Sequence, residues 1–338
     1  MKIRWKQVRQ WLPGVLVSLL AVFLVFRLAK WEDLVPALLA MDRRSLILAV
    51  GLFIASMLLR AYAWWILLQR RASYPKTTLI LNEGYLLNNL FPFRLGELGR
   101  AVFMSEAAHT SVFFVLSTIM LERLIDVAMA ALLLLVSLPL VLELDWARPA
   151  GISALLAVTV GLAFLFALAR SRERWQPWVD RQLSRWPAFH QTVRPWLDSL
   201  LDGFAVLNRP GQFFLALAAM LVSWGLAITQ YTVLIRGILP EAEPWWGLFV
   251  LGVAAVGVAL PSAPASLGVF EASIVGGLAL IGVPGAIALA FAILAHLIHV
   301  AVTGVIGLYG FYKEGQTING IYRRLMENRT KRTVSSES

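Results

Sequence analysis

Apolar residues fall in long blocks along this chain. Those at about 11–29, 46–69, 111–142, 150–169, 211–235 and 284–312 each reach the ~20 residues a helix needs to cross a bilayer. Two further blocks, 78–105 and 245–283, are apolar but broken by Pro, Gly and polar residues. Their arms, roughly 12–17 residues each, are short for a full crossing. The pattern predicts an all-α polytopic membrane protein with about six spanning helices and two re-entrant hairpins. Ordinary tilted spans in place of the hairpins are the alternative, and they would disturb the charge asymmetry described next.

Composition agrees. Apolar residues make up 59% of the 338 and charged residues 15%, against about a quarter charged in a soluble domain. That excludes a soluble enzyme, a disordered chain and a fibrous repeat. Cys is absent, so disulfides, thiolate metal sites and a Cys nucleophile are excluded. The net charge is +10, and its placement matters more than its total. Lys and Arg gather before the first span, after the second at Arg70, Arg71 and Lys76, between 170 and 210, and in the tail. The positive-inside rule then predicts that both termini are cytoplasmic. Arg27 closes the first span without a small-residue cleavage site, so that span reads as an anchor rather than a signal peptide. On this topology the first hairpin enters from the cytoplasm and the second from the outer side.

Residues 1–312 read as one membrane domain, and 313–338 as a polar basic cytoplasmic tail. Within the domain, 171–208 mixes Arg with Trp175, Trp178, Trp186, Trp196 and Phe189. This predicts amphipathic helices on the cytoplasmic membrane surface. No nucleic-acid-binding motif accompanies the basic residues, so nucleic acid is not an expected partner.

The broken blocks share a short pattern. Pro92 aligns with Pro264, and Pro-x-x-Leu-Gly then recurs in register, ending at Gly96 and Gly268. Combined with opposite entry sides, this suggests inverted repeats whose broken helices meet at a midplane site. Pro and Gly unwind the helices there and free backbone groups that a polar ligand can satisfy.

Charges inside hydrocarbon cost about 2.5–3.5 kcal/mol each on insertion scales, so each asks for a reason. The first hairpin carries Asn82, Glu83, Asn88, Asn89, Arg94, Glu97 and Arg100. Asn82, Tyr85 and Asn89 share one helix face. For Arg94 and Arg100, a solvated interface competes with a buried site; Asn82 and Glu83 lie deeper. Glu122, Arg123 and Asp126 interrupt the next span, either as an ion-pair network or as a site for a headgroup or protons. Arg60 sits over ten residues from either end of its span, which disfavours snorkelling and favours an inward phosphate contact. His296, His299 and Thr303 share a face of the last span. Interhelical hydrogen bonding or titration fits them better than a metal centre, because no His-Glu-x-x-His pattern occurs. Ser223 and Gln230 read as packing polars. No phosphate-binding Gly-rich loop and no nucleophile elbow is present. No catalytic residue, cofactor or metal is expected.

The run Asn88-Asn89-x-x-Pro92-x-Arg94-x-Gly96-Glu97-x-x-Arg100, followed by Glu122-Arg123-x-x-Asp126, resembles the flippase-like membrane domain of the lysylphosphatidylglycerol synthase/flippase family. The run Pro261-Ser262-x-Pro264-x-Ser266-Leu267-Gly268-Val269-Phe270-Glu271 is similar to that family's second signature. The likeness spans about 10–312. Where the family usually has Gly in the second loop, this chain has Ala265 and Ser266. The 26 residues after Tyr312 are too few for the family's aminoacyltransferase domain, so aminoacyl transfer to lipid is not expected.

The resemblance implies lipid translocation or binding, of a phospholipid or a polyprenyl- or isoprenoid-linked lipid. The expected headgroup contacts are Arg60, Asn82, Asn88, Asn89, Arg94, Arg100, Arg123, Ser262, Ser266 and Gly268, with Arg favoured for bidentate phosphate bonding. Glu83, Glu97, Glu122, Asp126, Glu271, His296 and His299 would balance charge or carry protons. Two rivals remain at this stage. One is a polyprenyl-phosphate-dependent glycosyltransferase using the outer acids Glu32, Asp33 and Asp42. The other is a lipid-binding scaffold that partners an envelope biosynthetic enzyme through 171–208.

Overall fold

A computed structural model describes residues 18–23, 31–91, 94–141, 147–171, 174, 177, 181, 187–259 and 262–313. Every regular element among them is helical. In chain order these are α1 (Trp31–Leu39), α2 (Arg43–Leu67), α3 (Tyr74–Leu90), α4 (Leu95–Ala107), α5 (Val112–Val141), α6 (Ala147–Arg170), α7 (Pro187–Phe204), α8 (Pro210–Ile238), α9 (Pro244–Ala259), α10 (Val269–Leu280) and α11 (Gly285–Lys313). Short 3₁₀ turns occupy Ala205–Asn208 and Pro264–Ser266.

Among the described residues, α2, α5, α8 and α11 are long and apolar enough to cross a membrane. They fall on four of the six predicted spans. A fifth, 150–169, lies within α6. The first predicted span is described only at 18–23. Both broken blocks form two-armed units: α3 and α4 hold 17 and 13 residues, α9 and α10 hold 16 and 12. At 1.5 Å per residue these arms are about 26, 20, 24 and 18 Å long, below the ~30 Å of hydrocarbon. Pro92, Phe93, Leu260 and Pro261, at the breaks, lie outside the described residues.

Helices α2 and α8 form the central contact and run antiparallel. The start of α2 meets the end of α8, where Asp42 N–H donates to the Gly237 carbonyl (2.9 Å). The end of α2 meets the chain just before α8, where Gln69 donates to the Asp202 carbonyl (2.8 Å). Asp42 caps α2 by accepting from the Ser45 amide and hydroxyl (both 2.8 Å), and these bonds lower its carboxyl pKa.

Two large clusters make up most of the apolar interior, and a small third one holds Ala63, Ile125, Ala219 and Met220. One large cluster joins α2–α5 through Trp64, Leu67, Leu81, Met104 and Phe114. The other large cluster joins α8–α11 and α1 through Leu234, Phe249, Ile274 and Phe291. The same packing recurs in each half: α3 lies on α4, α4 on α5, α9 on α10, and α10 on α11. Across the halves, α3 packs on α11 and α9 packs on α5. Glycines permit the close approaches. A Cβ on Gly84 would press on the Gly96 carbonyl and Arg100, and one on Gly257 would collide with Ser273.

Helix α7 docks on α5 rather than standing alone. Gly203 lies against Ser117 and the Phe114 carbonyl, and Trp196 stacks on Phe113 at 5.0 Å. Trp175, Trp178 and Trp186 lie outside the described residues, as does all of the tail beyond Lys313.

Candidate functional site

The site begins with charges that the bilayer would otherwise penalise. Arg60 stands near the middle of α2. Its Nε donates to Glu122 Oε1 (3.1 Å) and its Nη2 to Asp126. Arg100, from α4, donates to Glu122 Oε2 (2.6 Å) and lies over the Trp64 ring at 4.6 Å. Arg123 donates to Glu122 Oε1 (2.6 Å) and lies 3.0 Å from Asp126 Oδ2 and 3.7 Å from Glu97. Trp224 of α8 donates to the other Asp126 oxygen (3.2 Å). Three arginines thus meet three carboxylates, and the cluster is neutral. Neutral, hydrogen-bonded pairing is how buried charge survives in low dielectric.

Arg94 differs. It occupies the N-cap of α4 with a left-handed backbone, φ 52°. Among the described residues no carboxylate forms an ion pair with it. Its Nη2 donates to the Val258 carbonyl (2.5 Å), one of the acceptors left without an intrahelical partner at the end of α9. The two breaks therefore touch through Arg94. Asn88 spans the first break by accepting from the Gly96 amide (2.8 Å), and Asn89 donates to Thr303 of α11 (3.3 Å). In the second break Ala265 and Ser266 are also left-handed, at φ 57° and 56°. Such a conformation costs a non-Gly residue roughly 1–2 kcal/mol.

Glu271 stands three residues past Gly268, the N-cap of α10, and accepts from the Gly268 amide (2.7 Å). Its other oxygen faces His296 Nδ1 at 2.5 Å. His299, one turn along α11, packs between Phe53 and Tyr85.

These groups surround a cavity of about 1140 Å³. Arg60, Asn88, Asn89, Arg94, Glu97, Arg123, Asp126, Ser262, Ser266, His296 and His299 all line it. Much of the remaining wall is apolar, from Val127, Leu134 and Leu138 of α5, Ala227 of α8, and Leu251 and Val256 of α9. Val127 and Val256 are about half exposed, so helix packing does not cover this wall completely.

Six predicted site residues lie off the cavity wall. Arg100 and Glu122 sit behind Arg60 and Arg123, with side chains at most 3% exposed. Glu271 sits behind His296. Gly268 lies against Ser18 and Val22. Asn82 turns back onto the Thr78 carbonyl (2.8 Å), and Gly307 of α11 covers its backbone. Glu83 is fully buried, with Gly310 against its carboxylate. Both belong to the α3–α11 contact.

The sequence reading did not select Tyr85, Trp224 and Tyr231 as site residues, and it left Ser223 and Gln230 as packing polars; all five line the cavity. Tyr85 sharing a face with Asn89 was the available signal for the first.

The fold and site define a multi-pass helical membrane protein with an amphipathic central cavity. Residues 11–307 match the lysylphosphatidylglycerol synthase TM region, and the chain belongs to that family. A function tied to membrane lipid follows from that membership. Neither curated proteins nor solved structures gave a match.

Proposed function

We propose that this protein is a non-catalytic lipid translocator of the bacterial inner membrane, with both termini cytoplasmic. It carries the phosphate-bearing headgroup of an anionic phospholipid or isoprenoid-linked lipid through the central cavity. The observation that carries the reading is the split character of the cavity wall. One side presents Arg94, Asn88, Asn89 and the rim of a neutral ion cluster; the other is largely apolar and includes the half-exposed Val127 and Val256. A headgroup suits the first side while acyl or isoprenoid tails remain in lipid. Arg94 has five N–H donors, gives one to Val258, and carries a positive charge free to meet a phosphate.

The halves α2–α5 and α8–α11 act as inverted repeats, and the two broken units act as re-entrant hairpins. Short arms, antiparallel α2 and α8, and matched packing support this. Such architecture moves a midplane site between the two sides by rocking one repeat against the other. The glycosyltransferase reading loses one of its acids, because Asp42 is engaged as a helix cap.

The test is reconstitution into liposomes with headgroup-labelled phosphatidylglycerol and a labelled polyprenyl phosphate. Movement of either between leaflets, reduced by Arg94→Ala, is expected. No movement of either in oriented protein would overturn the proposal.

A further inference from the structure

The two hairpins carry the same charge device with one difference. At the start of α4, Glu97 stands three residues past the N-cap and meets Arg123, 26 residues on in the next long helix. At the start of α10, Glu271 stands three residues past its N-cap and meets His296, 25 residues on in the next long helix. The first partner is permanently charged. The second is the one side chain type whose ordinary titration lies near neutral pH.

We propose that the Glu271–His296 pair is a proton site that couples headgroup occupancy of the cavity to proton uptake. This rests on the headgroup reading above. With His296 neutral, Nδ1–H donates to the Glu271 carboxylate and the pair carries −1. Addition of a proton to the imidazole brings the pair to zero, so the cavity gains one positive charge. An anionic headgroup then binds more tightly, and by linkage its binding raises proton affinity by the same factor.

The geometry suits the role. His296 lines the cavity while Glu271 lies behind it, anchored to the Gly268 amide at the head of α10. Protonation therefore acts on the residue that caps the second arm of the second hairpin. The titratable and charged groups around the pair are few. On α11 itself there is His299; α2 brings Arg60, α3 brings Tyr85 and α8 brings Tyr231, all at the cavity wall. Helix α9 contains no ionisable residue, and Glu32 and Asp33 of α1 are exposed. Arg60 is already bound to Glu122 and Asp126, and His299 packs between Phe53 and Tyr85, so among the described residues Glu271–His296 is the His–carboxylate pair of this wall.

The experiment measures binding of dihexanoyl-phosphatidylglycerol to the full protein in phosphatidylcholine nanodiscs at pH 5.5 and pH 8. Calorimetry in buffers of different ionisation enthalpy counts protons taken up. Wild type is expected to bind about fivefold or more tightly at pH 5.5, with net proton uptake. His296→Gln is expected to bind with affinity independent of pH, and Glu271→Gln, which loses the carboxylate that favours the imidazolium, with a reduced pH effect. Binding of equal strength at both pH values in wild type, or pH dependence retained in His296→Gln, overturns the coupling and leaves the headgroup reading standing. No binding at either pH overturns the headgroup reading and the coupling together. The wild-type proton count decides the matter even if a variant fails to fold.

Discussion

Ser56 and Ser223 exchange hydrogen bonds reciprocally at the middle of α2 and α8. Ser56 Oγ donates to the Ser223 carbonyl (2.9 Å), and Ser223 Oγ donates to the Ser56 carbonyl (2.8 Å). Such exchange between like residues is what a two-fold relation between the two proposed repeats would produce. The native chain has no Cys, so the pair can be tested cleanly. Ser56→Cys with Ser223→Cys should form a disulfide in membranes under mild oxidation, read as a mobility shift reversed by reductant. Failure to cross-link would mean that the halves do not meet at these residues.

Glu122 holds Arg60, Arg100 and Arg123 at once. Glu122→Leu leaves buried arginine charge uncompensated and should cost about 3–5 kcal/mol, seen as a large fall in thermal midpoint in detergent. Adding Arg100→Leu removes one orphaned charge and should recover part of the loss. A silent Glu122→Leu would show that the cluster is solvated.

Ala265→Gly should stabilise the protein by about 1 kcal/mol, the reverse of the usual sign for this substitution. Ala265 sits at φ 57°, where glycine pays no steric penalty. A lower thermal midpoint for the variant would contradict a left-handed backbone there.

Arg94→Ala should leave the thermal midpoint nearly unchanged, because Arg94 is exposed and its contact is a single backbone carbonyl. It should weaken binding of an anionic headgroup by about 1.5–3 kcal/mol, the range for a hydrogen bond to a charged group. Equal binding by the variant would move the headgroup away from the first break.

Much of this arrangement was legible in the sequence because the bilayer leaves few choices. Backbone groups in hydrocarbon must be satisfied within a helix, so apolar block 111–142 became Val112–Val141 and 284–312 became Gly285–Lys313. The broken blocks yielded arms of the expected length for the same reason. Pairings at long separation were not legible. Nothing local joins Arg60 to Asp126, or Glu271 to His296. Facial spacing grouped Asn82 with Tyr85 and Asn89, yet α11 covers Asn82 while the other two reach the cavity. The Pro-x-x-Leu-Gly match paired Gly96 with Gly268. By helix start, Arg94 corresponds to Gly268 and Glu97 to Glu271, because cap position rather than residue identity sets where each second arm begins.

The central claim is that a lipid phosphate occupies the cavity at the meeting of the two breaks. A cryo-electron microscopy structure of protein purified with its native lipids tests it most directly. Phosphate density is expected within hydrogen-bonding distance of Arg94, with tails leaving past Val127 and Val256. Lipid density confined to the outer surface, with Arg94 still bound only to Val258, would contradict it.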